Sequence, residues 1–278
     1  MKPGWSLDLT VDDPETGKPW DLADGKVRAK ATNLILDGKP FCVILSPMCT
    51  AFSTMQNINK DRRDAKVVKK ELEEAKDHIR WAMRICSLQH RCNRYFAFEH
   101  PSGATSWAMP EVLKVAKLDR VQIAKFDMCQ YGMEMLDTDG KMKPVRKRTK
   151  IMTNSPEIAG RMSKQCPGDH EHVHLEGGVR CKRAQIYPKQ LCRTVCEGIS
   201  AQRRADSMNL VALGVLTIEE LMSMDDDLHE DPCANTQFYA VDDVSGDPLK
   251  PNLVMAARKE ELEYFKSMHV YDYAPLAE

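Results

Sequence analysis

The sequence predicts an α/β fold on a mostly parallel sheet, with one antiparallel strand at its edge. Three observations point there. Short apolar runs rich in β-formers have the length of strands buried on both faces. Stretches with apolar residues three and four apart follow them, as helices require. Turn residues close each run, so that strand and helix alternate to about residue 150.

Residues 5–9, Trp-Ser-Leu-Asp-Leu, are expected to form a short strand carrying Asp8, followed by a turn-rich stretch punctuated by Pro14, Gly17 and Pro19. Residues 26–37 have helical character and stop at Gly38. Phe41-Cys42-Val43-Ile44-Leu45 is a buried strand that ends at Ser46-Pro47. From Asp61 to about His90 the spacing of Val68, Leu72, Ala75, Ile79, Ala82 and Cys86 predicts one long amphipathic helix. Tyr95-Phe96-Ala97-Phe98 is the next strand, ending at Glu99-His100-Pro101, and Pro110 opens a helix to Ala116. Residues 121–130 and 148–153 supply two further strands, separated by a hairpin-like loop from Gly132 to Pro144.

Beyond residue 200 the composition changes. Residues 201–235 read as a helix followed by an acidic linker, Asp225 to Asp231 and then Pro232, and residues 236–278 as a mostly irregular and helical tail with one helix over 253–262.

With 42% hydrophobic residues in 278, the chain can bury a sizeable core. No apolar run reaches the roughly 18 residues of a membrane span, and the N-terminus lacks a secretion signal, so a nuclear or cytoplasmic location without membrane partners is expected. Ten cysteines in such a chain suggest reduced thiols, a metal site or a catalytic thiol rather than a disulfide framework. A net charge of −1 provides no global field for nucleic acid, so DNA binding must rest on local patches. One exists: six Lys and Arg fall between Lys141 and Lys150.

The chemistry centres on Cys49, in the loop Ser46-Pro47-Met48-Cys49-Thr50-Ala51-Phe52-Ser53 at the carboxyl end of a predicted strand, where open α/β sheets place their ligands. Glu99 ends the next strand. Tyr131-Gly132 and then Pro144-Val145-Arg146-Lys147-Arg148 follow in order. Taken together, these segments resemble the Pro-Cys, Glu-Asn and Gln-x-Arg-x-Arg motifs of cytosine-5 DNA methyltransferases, over roughly residues 5–200. The resemblance implies a Rossmann-like methyltransferase sheet and DNA as partner, with S-adenosylmethionine as cofactor. It casts Cys49 as the nucleophile that attacks C6 of a flipped cytosine. Glu99 becomes the acid at N3, and Arg146 and Arg148 steady the base or backbone. An acidic thiol at Cys49 is expected on that footing.

Asp8 and Asp21 resemble the family's two acidic cofactor positions, with Ser46 and Pro47 beside them. The family's opening Phe-x-Gly-x-Gly turn has no counterpart, so the sheet is expected to be incomplete at its first strand and the cofactor pocket open on one side. Met48 stands where the family has proline, and His100-Pro101 where it often has Asn-Val. The alternative is a non-catalytic nucleic-acid-binding module that kept the fold.

Cys166, His170, His172 and Cys181 are soft ligands that suit zinc, but their spacing matches no standard finger, so a metal is not assigned and a zinc-stabilised interaction module stands as a third reading. The same stretch, with Ala184-Gln185-Ile186-Tyr187-Pro188 and Leu191, resembles small phage-type methylases. Residues 238–274 resemble the lead-in to the reverse transcriptase of copia-type retrotransposon polyproteins, which implies that a methyltransferase-like module sits ahead of a polymerase.

Overall fold

Helix α1 (Gly25–Gly38) starts where Asp24 accepts a hydrogen bond from the Lys26 N–H at 2.8 Å, and it ends at Lys39, whose left-handed backbone (φ 41°) returns its N–H to Ile35. This computed structural model describes residues 4–53, 63–175, 178–213 and 215, all within the first of two units, Met1–His229. Strand β1 (Cys42–Leu45) is followed by the long helix α2 (Ala65–Arg91), which Asp64 caps through the Lys66 N–H. Next come β2 (Tyr95–Pro101), α3 (Pro110–Ala116) with its N-terminal proline, and β3 (Gln122–Asp127). A hairpin of β4 (Glu134–Leu136) and β5 (Met142–Pro144) leads to β6 (Arg148–Thr153). Helices α4 (Pro156–Arg161), α5 (Gly178–Arg183) and α6 (Lys189–Ala212) complete the described chain.

The main sheet has the order β1-β2-β6-β3. Only β1 and β2 pair in parallel, with Leu45 opposite Phe98; β6 runs antiparallel to both β2 and β3. The sheet is therefore mixed rather than mostly parallel, and its antiparallel strand lies inside, not at the edge. Sequence explains the position. Ile151 and Met152 are both buried, one packed toward each face, so β6 needs cover on both sides. β3 buries only its last two residues and suits an edge. Between β3 and β6 the chain holds a 3-10 turn and the hairpin but no crossover helix, so it returns antiparallel.

The expected first strand at residues 5–9 does not form. Asp8 instead accepts the Thr10 N–H (2.9 Å) and hydroxyl (2.7 Å), a local turn that competes with strand pairing. Trp5 lies over Gly38, where a Cβ would come within 2.1 Å of its ring.

Cores fill both faces. Phe96, Phe98 and Met152 pack against α1, α2 and α3 through Ile35, Ile79, Ile85 and Val112. Ala97, Ile151 and Phe126 pack against α4, α6 and the hairpin through Ile158, Leu191 and Met135. A polar network ties α6 to the sheet: Ser155 donates to Gln202 Oε1 (2.8 Å), Gln202 Nε2 to Asp206 (2.9 Å), and the Tyr95 hydroxyl to Asp206 (2.8 Å). Helix α6 passes residue 200 unbroken. No described helix is long and apolar enough to cross a membrane. The start of the expected helix at Asp61, the acidic linker and the reverse-transcriptase-like segment lie outside the described residues.

Gly198 is where α6 passes closest to α4: a Cβ there would meet Ile158 Cα and Cγ1 at 3.1 Å and the Glu157 carbonyl at 3.4 Å. Gly198→Val is expected to cost about 1–3 kcal/mol in urea unfolding, because the obstacle includes backbone. A change below about 0.5 kcal/mol, the size typical of surface substitutions, would show that the two helices can separate freely.

Candidate active site

Three of the four main strands point the same way, so the carboxyl ends of β1, β2 and β3 meet at one edge of the sheet, and the start of β6 joins them there. That edge receives the loop carrying Cys49, the pair Glu99-His100, and the segment from Arg146 to Arg148.

Period two along β2 separates the pair. Phe96 and Phe98 belong to the core under α2, so His100 faces that side, while Glu99 shares the opposite face with Ala97. Glu99 is buried, and its Oε2 accepts a 2.5 Å hydrogen bond from the Tyr187 hydroxyl. Its buried Oε1 has no hydrogen-bond partner among the described residues. Burial raises the pKa of Glu99, against the opposing pull of Lys147 and the Tyr187 hydrogen bond. Tyr187 is itself raised, first by burial and then by the Glu99 charge, while a hydrogen bond with the Ser46 side chain acts the other way.

Cys49 begins the 3-10 turn Thr50–Phe52 and is half-buried, between the exposed Met48 (65%) and Thr50. Burial pushes its thiol up; Lys147 lowers it, and negative charge on Glu99 or Cys181 raises it further. The net rise is opposite in direction to the acidic thiol expected from sequence. Lys147 is the cation that serves both groups. Its Nζ lies 5.7 Å from the Tyr187 ring centroid and donates to the Ala184 carbonyl at 3.1 Å.

His100 supports the cysteine loop from below. Its Nδ1 is 2.7 Å from the Ser106 hydroxyl, and Phe52 meets its ring edge-on at 5.8 Å. Burial pushes its pKa down to about 4, so it is neutral near pH 7.

Arg146 and Arg148 do not join the group around Glu99. Both turn toward the buried Asp127, with Arg146 Nε at 3.5 Å and Arg148 Nε at 4.0 Å from Oδ1. The residue between them, Lys147, turns instead toward the Tyr187 ring and the Ala184 carbonyl, on the side of the thiol's electrostatic neighbours. In the sequence, Lys147 and Tyr187 lie inside the motif segments but have no motif role of their own. The one available signal was Tyr187 next to Pro188 at the head of α6, a rigid place from which to aim a hydroxyl.

S-adenosylmethionine calls for acceptors for two ribose hydroxyls and an amine. Asp8 and Asp21 have that chemistry and are exposed, but each is held in its own turn, Asp21 by the Ala23 N–H at 2.9 Å. No described hydrogen bond joins them to each other or to Ser46 and Pro47.

Of the four soft ligands singled out in the sequence, three come together, and Cys129 rather than Cys181 completes the group. Cys181 is exposed, with its thiol directed at the Leu175 carbonyl, 3.7 Å away.

Comparison of the chain with protein-family models, curated proteins and solved structures found no match.

The electrostatics predict two shifts in the alkylation of Cys49 by iodoacetamide, followed by peptide mapping against pH. Lys147→Met removes the favourable charge and moves the profile to higher pH. Glu99→Gln removes a negative charge and moves it to lower pH; unchanged profiles in both variants would mean that neither group acts on the thiol. For His100 the sign runs the other way from a salt-bridged histidine. The unfolded chain takes up a proton near pH 6.5 and the folded chain only near pH 4, so stability is full above 6.5 and falls as the pH drops toward 4. The slope is at most about 1.4 kcal/mol per pH unit, and His100→Gln should flatten the urea midpoint between pH 7 and pH 5.

Proposed function

We propose that the chain carries a cytosine-5 DNA methyltransferase-like site, in which Cys49 adds to C6 of a cytosine turned out of the duplex while Glu99 protonates N3. The observation that carries this reading is Glu99: a buried carboxyl with a raised pKa, one oxygen held by Tyr187 and the other without a partner, at the same sheet edge as a half-buried thiol. A protonated carboxyl presents a donor to N3 and an acceptor to the adjacent amine, which matches the Watson–Crick edge of cytosine.

The thiol first gives its proton to water, and Lys147 stabilises the thiolate. As the S–C6 bond forms, the C5=C6 pair shifts to C4–C5, the C4=N3 pair moves onto N3 and takes the proton from Glu99, and the resulting enamine is nucleophilic at C5. Protonation of Glu99 before the addition also removes the negative charge that holds the Cys49 thiol up, so one proton serves both residues. At the end of the cycle the C5 proton passes to water, the S–C6 bond breaks, Cys49 departs as thiolate and Glu99 recovers its proton. The methyl group is proposed to come from S-adenosylmethionine, and that part rests on the resemblance alone. The basic stretch from Lys141 to Lys150 is the proposed contact for DNA phosphates.

The test is trapping on duplex DNA containing 5-fluorocytosine with S-adenosylmethionine present, because fluorine cannot leave as the C5 proton does. A denaturation-stable adduct mapped to Cys49 is expected, lost in Cys49→Ala and slowed roughly 10²–10⁴-fold in Glu99→Gln. Folded protein that forms no adduct and gives no calorimetric signal with S-adenosylhomocysteine would overturn the reading. DNA binding by wild-type chain that forms no adduct, unchanged in Cys49→Ala and indifferent to S-adenosylmethionine, would assign the chain to a non-catalytic nucleic-acid-binding role.

A further inference from the structure

We propose that Cys129, Cys166, His170 and His172 bind one zinc ion in a closed, structural site. The ligand atoms of these four residues all lie within 4.8 Å of one another. Cys166 Sγ is 3.6 Å from His170 Nε2 and 3.4 Å from His172 Nε2. A tetrahedral ion with Zn–S of about 2.3 Å and Zn–N of about 2.0–2.1 Å sets its sulfur and nitrogen ligands about 3.5 Å apart, which is the spacing found. The two imidazole rings are 4.5 Å apart and direct both Nε2 atoms at the same sulfur. A thiol has one proton to give and satisfies one imidazole; a cation satisfies both.

The surroundings suit thiolate and imidazole ligands. Gly168 donates its N–H to Cys166 Sγ at 3.3 Å, from a backbone at φ +83° that favours glycine, and Asp169 Oδ1 lies 2.7 Å from His170 Nδ1. That second contact fixes the proton on Nδ1 and leaves the Nε2 lone pair for the metal. The Cys166 N–H donates to Asp127 Oδ2 at 2.8 Å, which attaches the loop to the end of β3.

The need for a staple is visible in the backbone. Residues 163–175 form no helix or strand, yet Val173 reaches the core and its N–H bonds to Pro144 at 2.9 Å. Cys129 lies on the 3-10 turn after β3, so an ion held by the four residues would pin this irregular segment to the sheet edge that carries Arg146. Four protein ligands leave no open position, so the ion has no catalytic part.

Elemental analysis of the purified full chain is expected to find one zinc per chain. Cys129→Ser and His172→Ala should each lower the content about tenfold or more, and Cys181→Ser should leave it unchanged. Because a ligand variant can misfold, the wild-type chain supplies an independent measurement: a chelator should speed alkylation of Cys129 and Cys166 and leave the exposed Cys192 and Cys196 unaffected. Cobalt added to the reduced, metal-free chain should give a tetrahedral thiolate spectrum. The proposal is overturned if folded wild-type chain holds neither zinc nor cobalt, if Cys129 and Cys166 are joined as a disulfide, or if Cys181→Ser loses the metal while Cys129→Ser keeps it.

Discussion

Burial of strand β2 on both faces is the constraint on which the rest of the structure depends. From Tyr95 to His100 every residue is buried, so every backbone polar group needs a partner and every side chain a neighbour. β1 and β6 supply the ladders. Where they stop, Asn154 accepts the Phe96 N–H and donates to the Arg94 carbonyl, and Gln89 donates to the carbonyls of Pro40 and Tyr95. A strand so enclosed must have helices on both sides, and the two cores under α2 and α6 follow from it. The same enclosure carries two ionisable groups out of water at the strand's end. Burial favours the uncharged form of each, which moves Glu99 up and His100 down.

Charge at the sheet edge is divided in an unexpected way. Three consecutive cations lead into β6, but the arginines on either side of Lys147 lean on Asp127, and among the described residues the lysine is the cation that lowers both the thiol and the carboxyl. A single cation cannot hold two buried anions. Burial raises both groups, and charge on Glu99 raises the thiol further, so charging the two together is disfavoured.

Much of the element pattern was legible in the sequence because it is local. The helix Pro110–Ala116 has the bounds its opening proline and apolar spacing indicate, and the long helix follows the three-and-four repeat of Val68 to Cys86. Strand order was not legible, since the place of β6 depends on which strand has both faces covered. The strand expected around Asp8 failed for a local reason, its side-chain turn with Thr10. Around the candidate site, Cys49, Glu99 and the basic segment stand out because motif order marks them. Tyr187 does not, as it lies 88 residues from the carboxylate it bonds. Cys129 escaped in the same way, 37 positions from its nearest partner in the soft-ligand cluster, whereas Cys181 looked closer only along the chain.

Asp127 links the two clusters. Its Oδ1 faces Arg146 at 3.5 Å, and its Oδ2 accepts the Cys166 N–H at 2.8 Å, so one buried carboxylate serves the cation pair and the soft-ligand loop at once. Neither Arg146 Nε nor Asp127 Oδ1 completes a hydrogen bond, although their charges lie close. An ion pair held at that separation is set by its surroundings rather than by its own attraction, because a closer approach would strengthen it. The loop anchored at Cys166 is the neighbour with a direct hold on the carboxylate. The same carboxylate therefore meets both the arginine of the basic segment and the backbone of the soft-ligand loop.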